Sequence, residues 1–279
     1  MTTKSSSRSL PDFDNPPVVE TLLDVSFEPL WSWHAAHFGS YWERIRREYP
    51  DIEDQPPVML ERELFGEEKG QRRAEIFPFH PSQPPVRCWF VSESKSRLIQ
   101  VQIDRFIHNW RKHPDNATEK YPHYEEVIRP EFEIEWSRFC HFLKEESIGE
   151  PQVQQCEVRY INHIELSEGW QTYLNVVRSL DSWPGSEVNG FLPTPEDLQA
   201  TISYLMPNNK GRLRIIVEPG IRNLDAKPVL QLSLVARGRP ASSMTADILE
   251  WFDLGREWIV RGFTDFTTEK MHTIWHRRV

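Results

Sequence analysis

The strongest candidate for a functional site is residues 97–113, RLIQVQIDRFIHNWRKH, where a carboxylate, guanidinium and amide groups, an imidazole and an indole follow one another closely. Planar donors, an acid and an aromatic ring are enriched where proteins bind partners. We therefore predict a partner-binding site made of Gln100, Gln102, Asp104, Arg105, His108, Asn109, Trp110 and Arg111. In the structural alternative, Arg105 pairs with Asp104 or with a neighbouring strand, Asn109 satisfies a loop backbone and Trp110 belongs to the core.

The spacing within this stretch predicts a β-hairpin. Ile99, Val101 and Ile103 alternate with polar residues, so they are expected to face the core. Gln100 and Gln102 then face solvent. A tight turn at residues 104–105 starts the second strand and brings its polar side chains beside the exposed glutamines.

The histidine and cysteine patterns predict no metal site. His34 and His37 are three residues apart, and His272 and His276 are four apart, which are spacings that could place two imidazoles on one metal. Residue 273 is Thr, so the glutamate of an HExxH motif is missing. The three cysteines form no CxxC pair. We expect neither a metal nor another cofactor.

The motifs of common enzyme classes are also missing from the sequence. GxSxG, GxGxxG and GxxxxGK[ST] do not occur, so the residues indicate no nucleophile elbow, dinucleotide fold or P-loop. Glu20, Asp24 and Glu28 are four residues apart on a strand, about 13 Å from each other, which is too far for a paired acid and base. They are predicted to lie on a solvated strand face. A hydrolytic or nucleolytic enzyme with its active site among residues 100–111 remains the alternative function.

The elements that must position these residues follow a repeated order. A Ser- and Pro-rich arm, residues 1–17, is expected to be disordered. Strand and helix periodicities then predict an α+β fold built from two tandem β-α-β(3–5)-α halves, residues 18–150 and 151–279. Because polar loops join consecutive strands, the sheets are expected to be mostly antiparallel and covered by helices on one face.

The predicted element boundaries follow from local signals. Ser32 is expected to cap the first helix, Pro130 lies near the start of the second, and Ser167 caps a third. The strands are predicted at residues 58–65, 73–79, 86–92, 97–103, 105–111, 198–206, 212–218 and 229–237, in addition to those that open each half.

Composition restricts the class of protein. A chain of 279 residues, 38% of them hydrophobic, can bury a sizeable core. Its net charge of −9 disfavours phosphate backbones and anionic lipids, so nucleic-acid binding on an open sheet is the third alternative and no membrane is expected. The amino end has no signal-peptide pattern, and an odd number of scattered cysteines is typical of a reducing compartment. We expect a cytoplasmic protein.

Several sequence stretches together carry a resemblance to a family. NPPVVETLLDVSFEPL, RLIQVQIDRFIHNWRK and the carboxyl-terminal FTDFTTEKMHTIW resemble a sporadically distributed family of uncharacterised bacterial proteins of similar length. The resemblance implies a bacterial accessory protein of the kind found in defence or toxin-neutralising cassettes. Together with the missing catalytic motifs, it leads us to expect a noncatalytic recognition protein that binds a partner protein or forms a homo-oligomer.

Overall fold

A single antiparallel sheet, with the strand order β2-β3-β4-β5-β1-β6-β9-β8-β7, connects all nine strands of the described chain. The computed structural model describes residues 9–59, 61–65, 87–116, 118–165, 199–222 and 225–278. The strands are β1 (Val18–Phe27), β2 (Asp51–Gln55), β3 (Arg87–Val91), β4 (Arg97–Gln102), β5 (Arg105–Arg111), β6 (Val153–Glu165), β7 (Ala200–Leu205), β8 (Gly211–Ile221) and β9 (Pro228–Gly238). The helices are α1 (Ala35–Ile45), α2 (Arg129–Glu145, preceded by a π-helical turn, Tyr124–Ile128), α3 (Thr245–Phe266) and α4 (Glu269–Ile274).

The two faces of the sheet differ chemically because apolar and polar residues alternate along its central strands. On β1, Leu23 and Val25 point toward the helices, whereas Asp24 and Ser26 point away from them. We call this second side the polar face. On β4, β5, β1, β6, β9 and β8 it carries Gln100, Gln102, Arg105, Asn109, Arg111, Glu20, Asp24, Ser26, Gln155, Glu157, Arg159, His163, Gln231, Arg237, Arg212 and Arg214.

The core lies between the helices and the apolar side of the sheet. On α2, Phe132, Trp136, Phe139 and Leu143 recur at helical spacing and are buried, as the sequence pattern predicts. Gly255 lets α3 approach the sheet closely, since a Cβ atom there would lie 3.0 Å from Val158. The α+β class, the antiparallel sheet and the helices on one face are therefore confirmed.

The strand order places β1 and β6 next to each other at the centre of the sheet. After each of them the chain moves to an outer strand, β2 or β7, and returns toward the centre through the following strands. Residues 18–150 and 151–279 thus share one continuous sheet. Their description as two tandem halves stays a prediction, because the helix expected after Ser167 lies outside the described residues. No helix in the described ranges is long and apolar enough to cross a membrane.

Three local expectations differ from the structure. Helix α1 begins after His34 rather than at Ser32, because the His34 amide donates to the His37 Nδ1, 2.8 Å away, in a capping box. Residues 9–17 are packed rather than disordered, since Phe13 is buried and pairs with Arg277. The described residues of 58–65 form no strand, and the strand expected at 73–79 lies outside the described residues.

We expect Phe139→Ala to lower the free energy of unfolding by about 3–5 kcal/mol, because it removes a fully buried ring. This ring lies 4.9 Å from Phe106 and 5.6 Å from Tyr41, measured between centroids. Urea unfolding measures the loss. The matched control is Ile134→Ala on the same helix, where the side chain is 58% exposed and the change should stay within about 0.5 kcal/mol. Equal losses in both variants would contradict the assignment of this core.

Candidate functional site on the polar face of the sheet

The predicted hairpin is present, with its turn one residue earlier than expected. Strand β4 ends at Gln102 and β5 begins at Arg105, so Ile103 and Asp104 form the turn. Phe106 therefore points into the core, and Arg105 lies on the polar face.

Most of the predicted site residues are buried. Of the eight, only Arg111 is partly exposed; the other seven, Gln100, Gln102, Asp104, Arg105, His108, Asn109 and Trp110, are at most 7% exposed. The expectation that the two glutamines face solvent is wrong, because alternation shows which side of a strand is polar but not whether that side is covered. A partner-binding role for these residues stays a prediction.

Amide side chains link four neighbouring strands on the polar face. The Gln100 Oε1 accepts hydrogen bonds from the Trp89 indole at 2.9 Å and from Arg87 at 2.7 Å, and its Nε2 donates to the Asn109 Oδ1 at 2.8 Å. The Asn109 Nδ2 in turn donates to the Glu20 Oε1 at 2.7 Å. This chain of bonds orients one oxygen of Glu20 and leaves little freedom to the hairpin.

Two of the eight residues, Trp110 and His108, lie on the opposite, apolar side. The Trp110 indole donates to the Glu119 Oε1 at 3.0 Å and is fully buried, which agrees with the structural alternative for this residue. His108 is also fully buried, and among the described residues neither ring nitrogen has a hydrogen-bond partner, although Nε2 lies 4.0 Å from a Glu131 oxygen. Burial, together with the nearby Arg97, lowers the pKa of His108 to about 3, so the ring is neutral at pH 7.

Two glutamines of the polar face bind a segment of the chain that crosses it. We call residues 58–59 and 61–65 the crossing segment. The Gln102 amide accepts from the Val58 N–H at 2.8 Å and donates to the Val58 carbonyl at 3.1 Å. The Gln155 amide accepts from the Glu63 N–H at 2.8 Å and donates to the Glu61 carbonyl at 3.0 Å. Each glutamine thus satisfies one N–H and one C=O, as a neighbouring strand would.

Arginines bind the acidic side chains of the crossing segment. Glu63 is buried and accepts hydrogen bonds from Arg212 and Arg214, which point to the same side of β8. Glu61 accepts a bond of 2.5 Å from Arg237, and this bond and the arginine charge lower the pKa of Glu61. We call Arg212, Arg214 and Arg237 the arginine cluster. Both acids of the segment are therefore matched to fixed guanidinium groups.

A second set of charges connects the hairpin to this cluster. Arg105 forms an ion pair of 3.4 Å with Asp24, and Glu157 accepts from Arg237. Burial raises the pKa of Asp24 to about 6, although Arg105 opposes this shift. The expectation of a solvated strand face was thus wrong for Asp24, which is 3% exposed, whereas Glu28 is exposed.

The sequence contained only a weak signal for the residues that we missed. The alternation RLRIIV at 212–217 predicts that Arg212 and Arg214 share one face, but their acidic partner is about 150 positions away in the chain. Only the packing of the crossing segment against the sheet brings these side chains together. Gln155 likewise contacts residues more than 90 positions away.

The histidine pairs have other partners in the structure. His37 caps α1, and the His272 Nε2 lies 2.9 Å from the Thr267 Oγ1. Within the ranges that the structure describes, no three His, Cys, Asp or Glu side chains are grouped closely enough to hold a metal ion.

We expect Trp110→Ala to lower the free energy of unfolding by about 3–5 kcal/mol, because the indole is fully buried and hydrogen-bonded. The control is Trp31→Ala, where the ring is 52% exposed and the loss should stay below about 1 kcal/mol. Urea unfolding compares the two variants. A Trp110→Ala variant as stable as the native protein would show that this ring is not part of the core.

His108→Met should stabilise the protein, by an amount that grows as the pH falls. The unfolded imidazole binds a proton near its ordinary pKa of about 6.5, whereas the buried ring stays neutral down to a pKa of about 3. Native stability is therefore lost as the pH falls through this window. At pH 7 the free energy of unfolding of the variant should exceed that of the native protein by about 1 kcal/mol, because the unpaired nitrogens are removed. At pH 5 this difference should be about 2 kcal/mol larger.

The control for this titration is His141→Met on α2, because the His141 side chain is 69% exposed. Its unfolding free energy should follow that of the native protein within about 0.5 kcal/mol at both pH values. Urea unfolding at pH 7 and pH 5 measures both variants. An advantage of His108→Met that does not change with pH would contradict the neutral, buried imidazole.

Comparison of this chain with protein-family models, with curated proteins and with solved structures finds no match. The resemblance to a sporadic bacterial family therefore stays a prediction.

Proposed function

We propose that this chain is a noncatalytic recognition protein that binds an extended acidic segment of a partner protein on the polar face of its sheet. One observation carries the proposal: the polar face already holds such a segment from the same chain, through two glutamine amides and the arginine cluster. A segment of another chain with the same spacing of acids would find the same donors and acceptors.

The two kinds of contact recognise different parts of a bound segment. The amides of Gln102 and Gln155 bond to peptide groups, which every sequence has, and so resemble the backbone pairing by which sheets bind extended peptides. The guanidinium groups select carboxylates, because their planar donors match carboxylate oxygens. Arg237 binds Glu61, while Arg212 and Arg214 bind Glu63. The expected specificity is therefore for two acids separated by one residue.

The partner is a different protein or a second copy of this chain. A second copy is a candidate because every copy carries the required acidic segment, which one subunit could supply to another. The three cysteines are free in the structure, which supports a reducing cytoplasm, and a role in a bacterial defence or toxin-neutralising cassette is part of the same proposal.

The two alternative functions have less support. An enzyme with its active site at residues 100–111 would need accessible groups, whereas most of these side chains are buried. Nucleic-acid binding would need an unpaired basic stripe, but carboxylates pair with all three members of the arginine cluster.

The proposal predicts that an acidic peptide binds when the internal segment is weakened. The probe is a fluorescent peptide with the sequence of residues 57–65, and the proteins are the native chain and its Glu61→Gln variant. Because Glu61 is 74% exposed at its side chain, this change should preserve the fold while removing the ion pair to Arg237. We expect fluorescence anisotropy to show at least about tenfold tighter binding to the variant.

Two controls test the specificity of this binding. A peptide with glutamine at both acidic positions should bind at least about tenfold more weakly. Adding Arg44→Ala, which removes an ion pair on the helix side of the molecule, should leave peptide affinity unchanged. Equal affinity for the acidic and glutamine peptides, or no binding to a variant that melts like the native protein, would refute the proposal.

A further inference from the structure

An open cleft of about 1000 Å³ lies at the other end of the polar face from the crossing segment. Its polar lining comes from neighbouring elements: Arg111 ends β5, Glu20 lies on β1, His163 on β6 and Gln231 on β9, and Arg222 follows β8. A cleft of this volume is at the upper end of the range for small-molecule sites. Side chains from five elements therefore converge on a space large enough for a ligand.

Two cations in this cleft have no ion pair within the described chain. The Arg111 Nε donates to the Lys95 carbonyl, and its guanidinium lies 5.3 Å from the centre of the Trp89 ring. Lys112 is half-buried, and burial together with the charge of Arg222 lowers its pKa, an effect that Glu165 partly opposes. A partly desolvated ammonium beside another cation is unfavourable unless an anion binds.

The other charged groups around the cleft do not neutralise both of these cations. Arg222 is paired with Glu165 and Asp225. One oxygen of Glu20 accepts from Asn109, and burial raises the pKa of this carboxyl. Asp225 also pairs with Lys227, so one positive charge is unmatched: four cations (Arg111, Lys112, Arg222 and Lys227) face three acids (Glu20, Glu165 and Asp225).

The imidazole of His163 also lines the cleft. Its Nδ1 is buried without a hydrogen-bond partner among the described residues. Burial lowers the pKa of His163, an effect opposed by the Gln231 hydrogen bond and reinforced by Arg222 and Lys112. The hydrogen bond to Gln231 takes the one N–H of the neutral ring, so the donors left for a ligand are those of Arg111 and Lys112.

We propose that this cleft binds a small molecule carrying a phosphate group, held by Arg111 and Lys112. A phosphate presents three oxygens, which can accept from the two terminal nitrogens of the Arg111 guanidinium and from the Lys112 ammonium at once, whereas a single carboxylate presents two. The apolar side chains of Ile221 and Ile274 line the same cleft and would contact the organic part of the ligand. This proposal does not depend on the binding of acidic segments.

Isothermal titration calorimetry with adenosine 5′-monophosphate, inorganic phosphate and adenosine tests the site. We expect the nucleotide and inorganic phosphate to bind with dissociation constants below about 1 mM, the nucleotide more tightly, and adenosine not to bind in that range. Lys112→Met should weaken nucleotide binding at least about tenfold. The matched control, Lys144→Met on α2, removes an exposed lysine outside the cleft and should not change the affinity.

Lys112→Arg separates loss of the charge from damage to the fold. It should keep nucleotide affinity within about threefold of the native protein, because the cation is retained. The proposal is overturned if neither phosphate compound binds, if adenosine binds as tightly as the nucleotide, or if Lys112→Met binds like the native protein. It is also overturned if both Lys112 variants lose binding equally while their melting temperatures match that of the native protein.

Discussion

The polar face of the central sheet is largely buried, so each charged side chain on it must pair with a side chain of opposite charge. A buried charge without a partner is strongly destabilising, so each acid on this face needs a cation at a specific register. Asp24 meets Arg105 on the neighbouring strand, and Glu157 meets Arg237. The pairing of β1 with β5 and of β6 with β9 therefore satisfies two requirements at once: it continues the sheet and it neutralises the charges on it.

The crossing segment follows from the same constraint. Arg212 and Arg214 lie on the polar face with no acid of their own strand beside them on that face, and Glu63 meets both. Glutamine amides complete the arrangement, because the peptide groups of the segment would otherwise lose their water without replacement. Such contacts add little net stability, but they discriminate strongly between a matching segment and one without acids. This discrimination is the physical basis of our proposal that the chain is a recognition protein.

The cleft lies on the same sheet but has the opposite electrostatic character. Around the crossing segment cations and anions are matched within the chain, whereas Arg111 and Lys112 form no ion pair with described residues. The hairpin of β4 and β5 contributes to both regions, because Gln102 binds the crossing segment and Arg111 lines the cleft. It is thus a structural support for both of the proposed binding surfaces.

The local patterns of the sequence determined the elements of this protein, and tertiary structure decided the site. The two-residue alternation predicted β5 at residues 105–111, and the helical spacing of Phe132, Trp136 and Phe139 predicted the buried stripe of α2, since both depend on near neighbours in the chain. The joining of both halves in one sheet, the burial of Gln100 and the contact of Glu63 with Arg212 depend on residues far apart in sequence. The alternation of polar and apolar residues shows that a strand has a polar side. Whether that side contacts water or a buried charge depends on which distant segment packs against it. No local pattern contains that information.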